Sequence, residues 1–382
     1  MKDQVLQKID ALNDAYVQRW VDVCMLESPT HSKAGVDSVG EYFIRYATER
    51  GWKVEVFEQP VAGNVVTVTM NADVNETPLA LSGHMDTVHE IGSFGSPAVR
   101  VEGDKIYGPG TTDCKGGIVA GFLAMEALDA CGYRKRPVVM YLQSDEEGGG
   151  KYSGDATINH ICDRAVGSIA FLNLEGASTE QICVSRKGIA TYEFTVEGVE
   201  GHAAGCATYG SNAILEAAYK IIELEKFKDK DGLTCCCAII NGGTKHNIVP
   251  GKCEFKANVR FANKQQLEEF TAFAENLCKD IKVPGCTCRV VLPRVRPAME
   301  LCDRNTNLAN NLNEIWEQCG LPPYKCVSSI GGSDAANASD RGIPTVDNLG
   351  TLGGKIHTPN EFGIISSLAS QAKRIALAAL YL

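Results

Sequence analysis

The sequence predicts an α/β fold carrying a smaller inserted α+β domain, on three observations. Four apolar runs each end on a carboxylate or an imidazole: LALSG on His84, VVMYLQS on Asp145-Glu146-Glu147, IAFLNL on Glu175, and PTVDNL, through a glycine loop, on His357. Buried strands of a parallel sheet read as continuous apolar runs, and such sheets bind ligands beyond their carboxyl ends. Between Val184 and Pro297 the patterns run β-α-β-β-α-β, the split βαβ order of ferredoxin-like domains. Every strand-end polar group lies outside that stretch, so the expected outer domain is 1–186 with 298–382, and the insert is 187–297.

Taken in order, the N-terminus places Val5, Ile9, Leu12, Tyr16 and Trp20 at helical spacing among acidic residues, which reads as an amphipathic helix and not a signal peptide. The run LALSG then leads to His84, the glycine turn GPGTTD to Asp113, and the next two apolar runs to Glu146, Glu147 and Glu175. In the insert, TYEFTVE is a strand, SNAILEAAYKIIELEKF a helix, LTCCCAII and CEFKANVR strands, NKQQLEEFTAFAENLCKDI a helix and CTCRVVL a strand. After it, GGSDAAN sets Ser333 before a short helix and the last apolar run leads to His357.

Composition excludes several classes. With 44% hydrophobic and 22% charged residues among 382, the chain has ordinary globular usage. It has no apolar run of roughly 18 residues, so no membrane span is expected. A net charge of -10 argues against nucleic acid or a polybasic membrane contact. The 16 cysteines are scattered and form no C-x-x-C pair, which fits small core hydrophobes in a reducing cytoplasm better than a disulfide or thiolate-zinc framework.

His84, Asp113, a glutamate of the Asp145-Glu146-Glu147 run, Glu175 and His357 form a set of hard or borderline ligands suited to two divalent metals, zinc first, with cobalt or manganese also accepted. Singly, each has an ordinary reading: an H-x-D pair is commonly a turn, and SDEEGGG alone is a solvated acidic loop. Their joint occurrence at the ends of apolar runs favours a metal site.

The stretches SGHMDTVHE, VEGDKIYGPGTTDCKGG, QSDEEGGG, NLEGAS, GHAAG, NIVP, NVRF, VRPA, GGSDAA and HTPNEF resemble, in order from Leu79 to the C-terminus, the dizinc exopeptidase and deacylase family. That family includes glutamate carboxypeptidase, acetylornithine deacetylase, succinyl-diaminopimelate desuccinylase and aminoacylase. HMDTV and VEGDKIYGPG are most similar to glutamate carboxypeptidase. The resemblance implies a zinc-exopeptidase-like catalytic domain with a lid and dimerisation insert. It implies two Zn2+ per chain, one held by His84, Asp113 and Glu175 and the other by Asp113, Glu147 and His357, with Asp113 bridging. Glu146 becomes the general base, Asp86 the carboxylate that orients His84, and the peptide bond after Asp113 is expected to be cis. Cys114 departs from the family's usual Asp or Met, and is expected to pack beside the site.

Arg260, ending the strand CEFKANVR, is a natural clamp for a substrate carboxylate because a guanidinium binds one bidentately. Asn247, Arg296 and His202 fall where the family places substrate-contacting or oxyanion-stabilising groups, and the dimeric members suggest that His202 is supplied by a partner subunit. An alternative for Arg296 is a salt bridge at the domain joint. For Ser333, substrate contact through nearby backbone N–H groups competes with a simple helix cap. The expectation is a homodimeric cytoplasmic hydrolase that cleaves an amide or peptide bond beside a free carboxylate, with small peptides or N-acyl amino acids as substrates. The alternatives are an N-acyl-amino-acid deacylase and, in another class, a catalytically silent metal- or peptide-binding relative. The intact Glu146, Glu147 and ligand set argue against silence, and no cysteine has a motif that would pair it with a histidine as a nucleophile.

Overall fold

A computed structural model describes residues 1–382, and the chain divides into two units, Met1–Ser185 with Leu301–Ser328 and Ser333–Leu382, and Arg186–Glu300 with Ser329–Gly332. The second unit thus reaches a few residues beyond 187–297 and takes in a short later stretch that sequence reading left in the first. Lys187 N–H donates to Ser329 O at 3.1 Å and Arg186 Nη1 to Gly331 O at 3.3 Å, which fastens that stretch to it.

The first unit is built on a six-stranded sheet in the order Lys53–Phe57, Val65–Met70, Val138–Gln143, Leu79–His84, Ala170–Asn173, Thr345–Val346. Val65–Met70 runs antiparallel to both of its neighbours, and the last four strands are mutually parallel. Those four are the apolar runs singled out above. They are buried on both sides because neighbouring side chains alternate between two cores. Leu79, Leu81, Met140 and Leu172 join the core made with the helices Lys2–Met25, Lys115–Ala130 and Ser367–Tyr381, while Ala80, Val139, Tyr141 and Phe171 meet the helix Ala156–Ala165 and Ala338. Val5, Ile9, Tyr16 and Trp20 of the first helix are buried as its spacing predicts. Truncating such a residue, for example Leu81→Ala, costs about 2–5 kcal/mol.

The first unit also holds a small antiparallel sheet in the order Gly353–Gly354, Phe362–Ile364, Lys105–Tyr107, Arg100–Glu102. Its strand Lys105–Tyr107 runs into the turn that carries Asp113, and the hairpin from Gly354 to Phe362 carries His357.

The second unit has four antiparallel strands in the order Thr234–Gly242, Lys252–Phe261, Gly188–Glu197, Thr287–Arg296, with helices Ala213–Leu224 and Lys264–Lys279. This is the ferredoxin-like order expected of β-α-β-β-α-β. Burial alternates along Lys252–Phe261, so Phe255 faces inward, where it stacks on Phe194 at 4.6 Å. Both helices start on an asparagine cap: Asn212 accepts from Leu215 N–H and Asn263 from Gln266 N–H.

Candidate metal centre

The carboxyl ends of the parallel strands converge. His84 is the last residue of its strand, and its ring is only 2% exposed. Its Nδ1 lies 2.9 Å from the Asp86 carbonyl oxygen, which can only accept, so Nδ1 carries the proton and Nε2 is left to face the site. From there Nε2 is 2.9 Å from Asp113 Oδ1 and 3.6 Å from Glu175 Oε1. On the other side of Asp113, Oδ2 is 3.2 Å from His357 Nε2, which is 3.3 Å from Glu147 Oε2. The two oxygens of one carboxylate therefore face two different imidazoles.

The electrostatics of this cluster follow from burial and crowding. Burial, with like charge from Asp113 and Glu146 and against the hydrogen bond from His357, pushes the Glu147 carboxyl up to about 7. Burial likewise holds Glu175 well above the carboxylate range. Asp113 goes the other way: against burial, the imidazoles of His357 and His84 hold it far below its ordinary value. Hydrogen bonds to Asp113 and Glu147 raise His357 to about 10, and His84 is raised despite its burial. The cluster thus draws positive charge to the places between its carboxylates. The donor set of imidazole nitrogen and carboxylate oxygen is the one that divalent zinc, cobalt or manganese takes. Atoms of His84, Asp113 and Glu147 come within 4.8 Å of one another, so the residues present fit a metal site.

Glycines permit the close approach. A Cβ on Gly117, in the first turn of the helix after Asp113, would stand 1.9 Å from the carbonyl oxygen of Leu174, the residue before Glu175. Beyond Glu147, Gly149 and Gly150 adopt positive φ, and the loop is held by Asp145, whose Oδ2 accepts from Tyr152 and Ser153 N–H. The peptide bond from Asp113 to Cys114 is cis.

Cys114 Sγ accepts a hydrogen bond from His84 N–H at 3.0 Å, and burial raises its thiol well above the ordinary value. Its sulfur also comes near His84 and Glu175. A fully buried neutral thiol fastened to the His84 backbone is a packing group, since only the thiolate is a good ligand.

Asp86 does more than the sequence conveyed. Its backbone carbonyl, not its carboxylate, is the nearer partner of His84 Nδ1; the carboxylate oxygen is 3.5 Å away. That carboxylate accepts from the N–H groups of Glu146 at 3.2 Å and Glu147 at 3.0 Å and from the Thr30 hydroxyl at 2.9 Å. It therefore fixes the backbone from which the candidate base and a candidate ligand both hang. Glu146 itself is buried, and its charge contributes to raising both Glu147 and Glu175.

The remaining candidates are distributed between the units. Ser333, in the first, is 1% exposed; its hydroxyl donates to Asp347 Oδ2 at 2.7 Å and accepts from Asn173 Nδ2 and Ala335 N–H, the geometry of a helix start. In the second unit the strand Gly201–His202 pairs with Ile248–Val249, and Ala203 N–H donates to Asn247 O at 2.9 Å, so His202 and Asn247 become neighbours. Arg260 and Arg296 each pair across from Ile189, one on either side, which sets both side chains on one face. Burial, and after it the Arg296 charge, lowers Arg260 below its ordinary value. Sequence reading missed Glu361 and His89, although both stand in the quoted motifs. Nothing in one dimension connects residues so far apart.

A carboxylate shared between two imidazoles at the carboxyl end of a parallel sheet is a donor set fit for metal, and the family match defines the class as a metallohydrolase. The chain belongs to peptidase family M20/M25/M40, whose description matches residues 80–381. It is 28% identical to carboxypeptidase G2 of Pseudomonas sp. strain RS-16 over 73% of this chain and 68% of that one. It is 27% identical to succinyl-diaminopimelate desuccinylase of Rickettsia rickettsii over 69% and 73%. Among solved structures, aminopeptidase PepT from Bacillus cereus superposes with a TM-score of 0.79 at 21% identity, covering 96% of this chain and 98% of that one. The M20 family metallo-carboxypeptidase Sso-CP2 from Sulfolobus solfataricus gives 0.73 at 17% identity, with 96% and 99% covered. The chain is an M20 metallo-exopeptidase or amidohydrolase. No helix in it is long and apolar enough to cross a membrane.

Proposed function

We propose that this protein is a dizinc hydrolase that removes an amino acid by cleaving an amide beside a free carboxylate, in the manner of a glutamate carboxypeptidase. The observation that carries the reading is the bridging posture of Asp113, with Oδ1 toward His84 and Oδ2 toward His357. His84, Asp113 and Glu175 would hold one ion and Asp113, Glu147 and His357 the other. Two such ions, when bound, acidify a water molecule and polarise an amide carbonyl. Glu146 accepts the proton of that water on its carboxylate and returns it to the departing amine nitrogen, which requires a carboxylate beside the ligands but outside their set. Asp86 holds the Glu146 and Glu147 backbone in place for this division of roles.

Arg260 and Arg296 are assigned the substrate carboxylate. Two guanidinium groups on one sheet face repel each other, and a carboxylate relieves that repulsion while accepting their N–H groups. Asn247 and His202 are assigned the carbonyl oxygen as its negative charge develops. The second unit is also assigned the homodimer contact. Its helix Ala213–Leu224 exposes Leu215, Tyr219 and Ile222, and its edge strand Thr234–Gly242 exposes Ile239 and Ile240. We place the protein in the cytoplasm, where its free cysteines stay reduced.

The desuccinylase relatives favour a second reading, deacylation of an N-acyl amino acid. Screening the zinc-loaded protein against peptides ending in glutamate and against N-acyl amino acids separates the two. Free amino acid from the peptides alone supports the carboxypeptidase reading, and release from N-acyl amino acids alone overturns it in favour of the deacylase.

A further inference from the structure

Of the five candidate ligands, three follow directly from the parallel strands: His84 ends its strand, and Glu175 and Glu147 lie just past theirs. Asp113 and His357 do not. Each sits on an irregular loop, and His357 has a positive φ of 60° and a half-exposed ring. The loops leave adjacent strands of the small sheet, Lys105–Tyr107 and Phe362–Ile364. Something other than the main sheet must hold these two ligands to the spacing that a shared ion requires.

Glu361 stands where that function is needed. It is 1% exposed, and a buried carboxylate is costly unless its oxygens are hydrogen-bonded. Oε1 accepts from Thr112 N–H at 2.8 Å and from Asp113 N–H at 3.1 Å. Oε2 is 2.7 Å from His89 Nε2, on the loop that follows His84, and the His89 ring is packed edge-on by Phe94 at 4.9 Å. The backbone of Glu361 adds two more ties, donating to Thr358 O at 3.0 Å and accepting from Gly108 N–H at 3.3 Å. One side chain therefore joins the loop after His84, the turn before Asp113 and the hairpin that carries His357.

We propose that Glu361, oriented by His89, is a positioning residue that holds the backbone of Asp113 so that its two carboxylate oxygens stay divided between the His84 and His357 sides of the metal centre. The proposal rests on the dizinc reading above. Partners of this kind beyond the ligands typically change metal affinity about 10–100-fold when removed. Because Asp113 is shared, both ions feel the loss; the ion on the side of His357, whose imidazole is half-exposed and loop-borne, feels it more.

The test uses the protein stripped by chelation, with Zn2+ binding followed by competition against a chromophoric chelator and the melting temperature of the metal-free form measured alongside. Glu361→Ala is expected to weaken the looser ion about 10–100-fold. Glu361→Asp, too short to reach both N–H groups and His89 together, is expected to weaken it as well, and serves as the probe should the alanine variant not fold. Glu361→Gln keeps an acceptor for the two N–H groups and should stay within about tenfold of the unaltered protein, with His89→Ala showing a smaller loss in the same direction. A lowered metal-free melting temperature with unchanged Zn2+ affinity in the Ala and Asp variants would make Glu361 merely structural and overturn the proposal. So would equal losses in the Gln and Ala variants. Failure of the unaltered protein to take up two ions would instead refute the dizinc reading on which the proposal stands.

Discussion

Glu146 and Glu147 are adjacent in sequence and are assigned different work, which makes their amide variants a demanding test. Glu146→Gln preserves shape and the N–H bond to Asp86 but cannot accept a proton from water. Positioned general bases contribute about 10²–10⁴-fold, so kcat should fall by that factor, about 3–5.5 kcal/mol at 1.36 kcal/mol per tenfold, with both ions retained. The Glu147 side chain is buried beside His357, 3.3 Å from its Nε2, and on the proposed ligand assignment removing its charge would leave the ion on that side only Asp113 as an anionic ligand. The attraction of unit charges about 4 Å apart at an effective dielectric of about 20 is about 4 kcal/mol. A dication doubles that figure and the retained amide oxygen recovers part of it, so a loss of about a thousandfold in affinity for one ion is expected. The assay pairs release of free amino acid with elemental analysis of the same samples after dialysis. A Glu146→Gln protein with kcat within a few-fold of normal would remove the base assignment, and a Glu147→Gln protein that holds both ions as tightly as before would remove the ligand assignment.

Replacing His84 or His357 by alanine should each lose mainly one ion, His357→Ala the more weakly held; retention of two ions by either variant, measured by elemental analysis, would contradict its ligand role. Arg260→Ala should lower kcat/KM by about 10²-fold or more for substrates with a free α-carboxylate, because a charged hydrogen bond contributes about 1.5–3 kcal/mol and the clamp makes two. It should change turnover of the corresponding amides far less, and equal losses on acids and amides would dissolve the clamp. Ile222→Asp combined with Ile239→Asp should convert a dimer to a monomer in sedimentation analysis, and an unchanged mass would place the subunit contact elsewhere. His202→Ala should lower kcat more than it raises KM. If His202 acts across the dimer, mixing it with inactive Glu146→Gln chains should restore part of the activity in verified heterodimers, whereas absence of recovery would assign His202 to its own chain.

What could be read in one dimension was whatever a strand or helix writes as a local pattern. The four parallel strands were legible because burial on both faces demands continuous apolar runs, and a polar residue at the end of such a run stands out. The insert was legible because its six elements alternate period and punctuation cleanly. The edge strand Lys53–Phe57 and the small sheet were not, since short edge elements owe their form to neighbours far along the chain, and Val65–Met70, paired on both sides, ends on no polar group that would single it out. The same distinction divides the candidate site. His84, Glu175 and the run that holds Glu147 announce themselves at strand ends, whereas Asp113, His357 and the choice of Glu147 within its run need the order of motifs to be recognised as candidate ligands. Asp86 was picked out through its motif, but the backbone N–H groups its carboxylate accepts from, and the roles of Glu361 and His89, needed coordinates, because their partners lie about 60 to 270 positions away. A sequence pattern records which side chains a segment carries but not which amides it satisfies. Groups that hold backbone amides are therefore the ones most easily overlooked, and a chain that kept all five candidate ligands while losing Glu361 would still look intact at those five positions and is expected to bind metal or turn over poorly.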